Sequence, residues 1–199
     1  MDDIVRQALA KWPNVPHCYG WLGLDARGGW YMRDDRIQAE GPFPTPRGSL
    51  LKHDKLLEFI HRNYESDEQG CWFFQNGPQR VYVELEATPW ILRIGRGGDV
   101  TTHTGRAVTP TAALLDAQGR LYLETEAGLG LVHTLDMHEA AEAVESGRWS
   151  PQDVDAADLP GRFGFVRSPQ QAQKRPITDR PSLRGPKPAS RAYLTALTM

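Results

Sequence analysis

Three segments of the chain carry apolar residues at the spacing of an amphipathic helix. The first follows two aspartates, ends before Pro13, and has on one face Ile4, Val5, Ala8, Leu9 and Trp12. The second, SLLKHDKLLEFIHRNY, has at intervals of three and four the residues His53, Leu56, Leu57, Ile60 and Tyr64, which predicts His53 on the buried side. The third begins with the capping-box pair Asp136 and Glu139, ends at Gly147, and has on one face Met137, Ala140, Ala141 and Val144. The pattern therefore predicts three helices.

Runs of aliphatic and aromatic residues between these segments predict strands at 18–24, 30–32, 71–94 in three parts, 111–116, 121–123 and 163–166. Two connections have an Asp at the first position and a Gly at the fourth, in LDARGGWYM and LDAQGRLYL. This pattern is typical of a type I turn followed by a residue at positive φ. We therefore expect two hairpins, with Gly28 and Gly119 at positive φ and with Asp25 and Asp116 accepting local backbone hydrogen bonds.

The two hairpins belong to an internal repeat, whose offset of 91 residues is the separation of Gly28 and Gly119. Identical residues align at this offset from Leu24, Asp25, Ala26, Gly28 and Tyr31. The same offset aligns Gly70 with Gly161, Trp72 with Phe163, Phe74 with Phe165 and Pro78 with Pro169. Two matches in one register, with a predicted helix between them in both halves, favour a duplicated unit of hairpin, helix and strand.

This arrangement predicts an α+β protein of two related subdomains, each a small antiparallel sheet or hairpin packed with a helix. The first subdomain spans 1–94, and the glycine-rich stretch GRGGDVTTHTG within 95–110 indicates a linker. The second, shorter repeat spans 111–170. A basic, proline-rich tail occupies 171–199.

Composition and charge narrow the classes of function. With 199 residues, 40% of them hydrophobic, and six tryptophans, the chain can form a sizeable core. The formal net charge is −2, but six cations and one acid give the last thirty residues +5, which leaves −7 for the rest. Because phosphate affinity comes mainly from clustered Lys and Arg, this acidic body argues against nucleic-acid binding, except through the tail.

Several features indicate a cytoplasmic protein. The start MDDIVRQALAKW has two acids where a secretory signal has a basic region and an apolar run. No window approaches the roughly 18 apolar residues of a membrane span. Cys18 and Cys71 match neither a disulfide framework nor a zinc or redox pattern, so we expect reduced thiols.

Three stretches carry a resemblance to known families, namely WPNVPHCYGWLGLDARGGWYMRD, HRNYESDEQGCWFFQNGPQRVYVELEATPW and FVRSP. They resemble an uncharacterised family of unknown function from bacteria, specifically proteobacteria. The order of a G-x-W hairpin, a helix, a G-x-W-F-F strand and VELEATP is similar, more distantly, to the domain of unknown function 1285 family. That similarity implies two subdomains with a repeated motif and a suggested role in signal transduction, and it implies no catalytic residues.

The residues with the chemistry for catalysis have structural alternatives. Asp25 and Asp116 could form an acid/base pair, but Asp at the start of a turn usually binds the local backbone. His17 and Cys18 could form a nucleophile pair, yet neighbours on a strand point to opposite faces, which favours a packed cysteine. The remaining pair, Glu84 and Glu86, shares a strand face that could line a cleft or simply be exposed.

We expect no metal and no cofactor. The possible ligands lack any short metal-binding spacing and are His17, Cys18, His53, His61 and Cys71. GRGG lacks the Lys-Ser/Thr ending of a phosphate-binding loop, so a linker is the better interpretation.

The sequence therefore favours a non-enzymatic cytoplasmic binding or adaptor protein, with an unknown protein partner or small ligand and no membrane contact. We expect these contacts in the groove between the halves or through the basic tail residues Lys174, Arg175, Arg180, Arg184 and Lys187. An enzyme with its site in that groove is the alternative, and the residues to test first are His17, Cys18, His53 and Glu84. A third hypothesis is nucleic-acid binding by the tail.

Overall fold

The computed structural model describes residues 3–12 and 14–174. Its helices are α1 (Asp3–Lys11), α2 (Asp35–Glu40), α3 (Asp54–Arg62), α4 (Met137–Glu145), α5 (Leu159–Phe163) and α6 (Pro169–Lys174), with a 3-10 helix η1 at Thr134–Asp136. The strands of the first half are β1 (Cys18–Leu24), β2 (Trp30–Met32), β3 (Ser49–Leu50), β4 (Tyr64–Ser66), β5 (Trp72–Asn76) and β6 (Gln79–Leu85). The others are β7 (Trp90–Ile94), β8 (Val100–Thr102), β9 (Ala107–Val108), β10 (Pro110–Asp116), β11 (Leu121–Thr125), β12 (Gly128–Val132) and β13 (Gln152–Val154).

These elements form an α+β fold with two sheets, as the sequence predicts. The first sheet has the strand order β3-β2-β1-β6-β5-β4, and the second has the order β13-β10-β11-β12-β7-β8-β9. In both, a hairpin lies beside a parallel strand: β1 pairs antiparallel with β2 and parallel with β6, and β10 pairs antiparallel with β11 and parallel with β13. Each sheet therefore contains the predicted antiparallel hairpin and is mixed as a whole, because of the added parallel strand.

The predicted linker is part of the second sheet. It contains β8 and β9, and β7, which lies in the predicted first subdomain, pairs with β8 and with β12. The glycines make a tight turn instead of a joint, because the Gly98 N–H donates to the Gly95 carbonyl and Gly98 has a φ of 81°. The linker prediction was therefore wrong.

The first hairpin corner has the predicted geometry. The Asp25 carboxylate accepts hydrogen bonds from the backbone N–H groups of Arg27 and Gly29 at 2.9 and 2.8 Å, and Gly28 has a φ of 80°. This corner faces the second sheet, since a Cβ atom at Gly28 would lie 3.0 Å from the Cβ of His103. The aspartate therefore acts as a turn residue, and the turn contacts the other half of the molecule.

The second corner repeats the turn in a different environment. Asp116 accepts from the backbone N–H groups of Gln118 and Arg120 at 3.0 and 2.9 Å, and Gly119 has a φ of 74°. A Cβ atom at Gly119 would meet nothing within 4 Å. The two corners therefore share local chemistry, while the first alone contacts the opposite sheet.

The second part of the repeat is less similar than the sequence predicts. Each half has a helix after its hairpin, but the predicted strand at 163–166 is absent from the described structure. Phe163 ends α5, and Gly164, at a φ of 66°, caps that helix. Val166 makes an isolated bridge to Cys71. The helix forms because Pro160 favours its first turn and the left-handed glycine ends it.

Two helix ends also differ from the prediction. His53 is exposed and precedes α3 as its N-cap, where its Nδ1 accepts from the Leu56 N–H at 3.3 Å, so the buried position was wrong. Asp136 is at the N-cap position of α4, but its side chain makes no capping hydrogen bond, because its carboxylate binds the Arg93 side chain and the Ile94 N–H.

The predicted apolar face of α4 is only partly buried. Ala140 is inside the core, whereas Met137 and Val144 are exposed. The helix is therefore rotated from the predicted orientation, so that Ala143 is the second residue it buries.

One hydrophobic core includes side chains from both sheets. Aromatic rings fill the region between the sheets: Trp72 lies 4.9 Å from Trp90, Tyr64 lies 5.2 Å from Trp30, and His103 lies 5.8 Å from Trp90. The contacts of Trp72 with Trp90 and of Tyr64 with Trp30 are edge-to-face, a geometry that stabilises a core beyond the area that it buries. The groove expected between the halves is therefore filled at this point.

His103 is the polar member of this aromatic core. Its Nδ1 accepts the Ile91 N–H at 3.2 Å, and its Nε2 is enclosed without a hydrogen-bond partner, although the residue as a whole is half-buried. Burial, together with the nearby His61, lowers the pKa of His103 to about 3. The ring is therefore neutral at neutral pH and serves as part of the core.

Candidate functional site: the outer face of the first sheet

The side of the first sheet that faces away from the core is defined by strand alternation. Leu22 and Leu24 of β1 point into the core, so Trp21 and Gly23 point the other way. Gly23 pairs with Tyr31 of β2 and with Glu84 of β6, and Tyr31 pairs with Leu50 of β3. We call this surface the outer face; its side chains are Trp21, Tyr31, Arg33, Leu50 and Glu84.

Two large apolar side chains of the outer face are exposed. Trp21 has 39% and Leu50 46% of its surface accessible. Between them, the Phe43 ring lies over Gly23, where a Cβ atom would be only 2.5 Å from the ring, and it lies 6.3 Å from the Tyr31 ring. Gly23 thus allows an aromatic side chain to lie flat on the sheet, and the outer face gains an apolar surface open to solvent.

Glu84 is the buried carboxylate of this face, with 3% exposure. It accepts from the Ser168 hydroxyl at 2.5 Å and from the Gln170 backbone N–H at 3.0 Å. Burial raises the pKa of Glu84, and these two hydrogen bonds act in the opposite direction. The exposed sheet face considered for Glu84 is therefore wrong, because α6 covers it.

Arg33 lies beneath the same region and is fully buried. Its Nη1 donates to the Gly20 carbonyl at 3.4 Å and its Nη2 to the Gly41 carbonyl at 2.5 Å, while its Nε has no partner. Burial lowers the pKa of Arg33, and the charge of Glu84 opposes that change. A buried guanidinium with one unsatisfied donor costs stability, so packing alone does not explain this residue.

Helix α6 begins over the buried Glu84. The Gln170 side chain donates to the Gln38 Oε1 at 2.9 Å. It passes directly over Gly20, which has a φ of 79° and at which a Cβ atom would collide with both glutamine side chains. We call the group of Gly20, Arg33, Gln38 and Glu84 the cradle.

Next to the cradle, the remaining carboxylates are fully engaged. Glu86 accepts from Arg47 at 3.0 Å with both oxygens and from the Ala26 N–H at 3.1 Å. Asp25 accepts the Tyr31 hydroxyl at 3.1 Å in addition to its turn bonds, and burial with this carboxylate raises the pKa of Tyr31. These hydrogen bonds hold both carboxylates in fixed positions and so order this part of the surface.

The structure does not bring the four candidate catalytic residues together. His17 is exposed with its ring 5.9 Å from Tyr82, Cys18 is half-buried at the start of β1, His53 caps α3, and Glu84 lies in the cradle. Within the described residues, no hydrogen bond, ion pair or ring contact joins any two of them. Of the basic tail residues, Lys174 is exposed at the end of α6, and the others lie outside the described residues: Arg175, Arg180, Arg184 and Lys187.

Most of the chain matches the model of one protein family. The family model named DUF2944, with the description "Protein of unknown function (DUF2946)", matches residues 1–170. The chain belongs to this family. The predicted resemblance to a family of unknown function is thus confirmed.

Two solved structures are similar to this member of the family. A DUF1285 family protein from Silicibacter pomeroyi DSS-3 is 14% identical with a TM-score of 0.45, over 71% of this chain and 84% of that one. A DUF1285 family protein from Shewanella baltica OS155 is 16% identical with a TM-score of 0.43, over 62% of this chain and 91% of that one. Among curated proteins, no match was found.

In residues 3–12 and 14–174, no group of three or more His, Cys, Asp or Glu side chains could hold a metal ion. No helix in the same part of the chain is long and apolar enough to span a bilayer. Neither Cys18, which is half-buried, nor Cys71, which is buried, forms a disulfide bond.

The sequence analysis did not identify the cradle residues Arg33 and Gln38, nor Ser168, which donates to Glu84. Ser168 followed by Pro169 is typical of a helix start, a signal that could have indicated α6. No local pattern marks Arg33 as buried, because its burial depends on the Gly41 carbonyl and on the position of Glu84.

Proposed function

We propose that this chain is a non-enzymatic binding or adaptor protein that binds a protein partner on the outer face of the first sheet. The observation that carries the proposal is the exposure of Trp21 and Leu50 on a face that also contains the buried Arg33 and Glu84. Large aromatic side chains that a partner can desolvate supply most of the energy at protein interfaces. An exposed apolar surface beside precisely placed polar groups is the arrangement such an interface uses.

The geometry supports binding over catalysis. The carboxylates of this face accept hydrogen bonds from the chain's own side chains, which gives each of them a structural role. A site in the groove between the halves would need open space there, and aromatic rings fill the region around Trp90. The enzyme alternative requires its candidate residues to converge on one pocket, and these residues lie apart.

The proposal includes a regulatory or signal-transduction role in the cytoplasm. Cys18 and Cys71 form no disulfide bond, which fits a reducing compartment. The basic residues that follow α6 in sequence are proposed as a second, electrostatic contact with an acidic partner surface. If the outer face supplies most of the affinity, removal of residues 175–199 should not abolish partner binding at high salt.

Two tryptophans allow a controlled test. Trp21→Ala removes the exposed ring of the outer face, and Trp12→Ala removes an exposed ring from the end of α1, where 52% of the side chain is accessible. Each variant is immobilised and exposed to lysate of the source cells, and bound proteins are quantified by mass spectrometry. We expect Trp21→Ala to lose a protein that the unmodified chain and Trp12→Ala both retain.

Circular dichroism of both variants checks that the fold is kept. Equal retention by Trp21→Ala and Trp12→Ala, or no specific capture by the unmodified chain, would overturn the proposal.

A further inference from the structure

The contacts of α6 differ from those of an ordinary packed helix. Pro169 is its one buried residue within the described range, and its other side chains are half-buried or exposed. Polar contacts connect Gln170, and Ser168 just before the helix, to Glu84 and Gln38. Segments with little buried apolar surface open at low free energy, so α6 is suited to detach while the sheets stay folded.

The cradle beneath α6 has the properties of a peptide site. Glu84 receives a hydroxyl donor and a backbone N–H donor, and Gln38 receives a carboxamide donor. All three donors come from residues 168–170, as they would from a bound peptide. Gly20 lacks a side chain where the Gln170 carboxamide crosses the sheet, so the backbone is shaped to admit that amide.

In the closed form, in which α6 lies on the cradle, one hydrogen-bond donor of the cradle has no acceptor. The Arg33 Nε is buried without an acceptor while α6 is in place. A contact optimised only for stability would satisfy this donor, because an unpaired buried donor is costly. The closed contact therefore carries the cost of one unpaired buried donor, which makes it less stable than a fully satisfied contact would be.

From these contacts we propose that residues 168–170 are an internal occupant of a peptide-binding cradle, and that a partner segment with a hydroxyl residue followed two positions later by glutamine displaces them. This inference rests on the proposed function, because it specifies how the outer face would receive its partner. The partner segment supplies to Glu84 and Gln38 the donors that Ser168 and Gln170 supply in the closed form. Displacement of α6 then extends the open surface from Trp21 across the cradle.

A labelled peptide tests this exchange with the full chain. The probe is a fluorescein-labelled FVRSPQQAQK, the sequence of residues 165–174, and binding is measured by fluorescence anisotropy. In the variant Ser168→Ala/Gln170→Ala, the internal occupant is weakened while the cradle stays intact. We expect this variant to bind the peptide at least tenfold more tightly than the unmodified chain does.

Two controls identify the site. The peptide FVRAPAQAQK, which lacks both side-chain donors, should bind at least tenfold more weakly to the double variant. Adding Gln38→Ala to the double variant should also weaken binding of the original peptide, and this substitution of a half-buried residue avoids removing the buried Glu84. Circular dichroism confirms that each variant is folded.

Equal peptide affinity of the unmodified chain and the double variant would overturn the proposal, as would equal binding of the two peptides. Such a failure is distinguishable from failure of the proposed function. If Trp21→Ala still abolishes partner capture while the peptide results are negative, the outer face remains the binding surface and the exchange at the cradle is rejected.

Discussion

The two hairpin corners offer a matched pair of mutations, Gly28→Ala and Gly119→Ala. Both glycines have positive φ, at 80° and 74°, so both substitutions carry the cost of placing a side chain in the left-handed region, about 1–2 kcal/mol. At Gly28 the new methyl group would also lie 3.0 Å from the His103 Cβ and 3.8 Å from the Ile91 Cβ. Overpacking of a core costs typically about 1–3 kcal/mol, and Gly119 has no neighbour within 4 Å to cause it.

We therefore expect Gly28→Ala to lower the free energy of unfolding by about 1–3 kcal/mol more than Gly119→Ala does. The assay is urea unfolding followed by tryptophan fluorescence, with thermal unfolding as a second measurement. For a chain of this size the difference corresponds to about 2–4 °C in Tm per kcal/mol. If the two variants lose the same stability, the first corner does not contact the second sheet and the reasoning fails.

Three further predictions use the same assay. Burial lowers the pKa of His103 to about 3, from an ordinary value of 6.5, so on acidification the unfolded chain binds this proton before the folded chain does. The contribution of the neutral ring to the free energy of unfolding is therefore fully present above pH 6.5. It falls by about 1.4 kcal/mol per pH unit as the pH drops from 6.5 to about 3. His103→Asn should flatten that pH dependence, and an unchanged slope would count against the buried neutral ring. Tyr122→Phe removes a buried hydroxyl that donates to Asp116 at 2.9 Å, and should lower the free energy of unfolding by about 1–3 kcal/mol. Tyr31→Phe, at the equivalent but half-buried position of the first hairpin, should cost less. The reverse order would contradict the greater burial of the second tyrosine. Arg93→Met removes two hydrogen-bond donors from the buried Asp136 and should lower the free energy of unfolding by about 1–2 kcal/mol. Arg36→Met breaks an exposed ion pair with Glu40 and should lower it by less than about 0.5 kcal/mol. Equal losses would show that solvent fully screens the pair of Arg93 and Asp136.

The parts of the fold that could be predicted from sequence depend on local chemistry. The positive φ of Gly28 and Gly119 follows from an aspartate three residues earlier that binds the turn, and both hairpins confirm it. The strand 18–24 and the helix after each hairpin likewise follow from spacing within a few residues.

The predictions that failed depend on partners far away in sequence. Asp136 fits a capping box, yet the Arg93 side chain from another element binds it more favourably. The glycines of the predicted linker are compatible with a joint or a hairpin, and pairing with β7 decides between them. Glu84 looked exposed because the residues that cover it lie more than eighty positions later, at Ser168 and Gln170.

The position of β7 has a consequence for how the chain folds. This strand pairs parallel with β12, which follows it by nearly forty residues, and antiparallel with β8. Parallel pairs close long loops before they gain contacts, which slows folding. During synthesis, the Trp90 segment must therefore wait until Val132 has left the ribosome before the second sheet can form around it. Cleavage after Ile94 would separate β7 from both neighbours, so the two fragments should regain structure on mixing rather than fold alone.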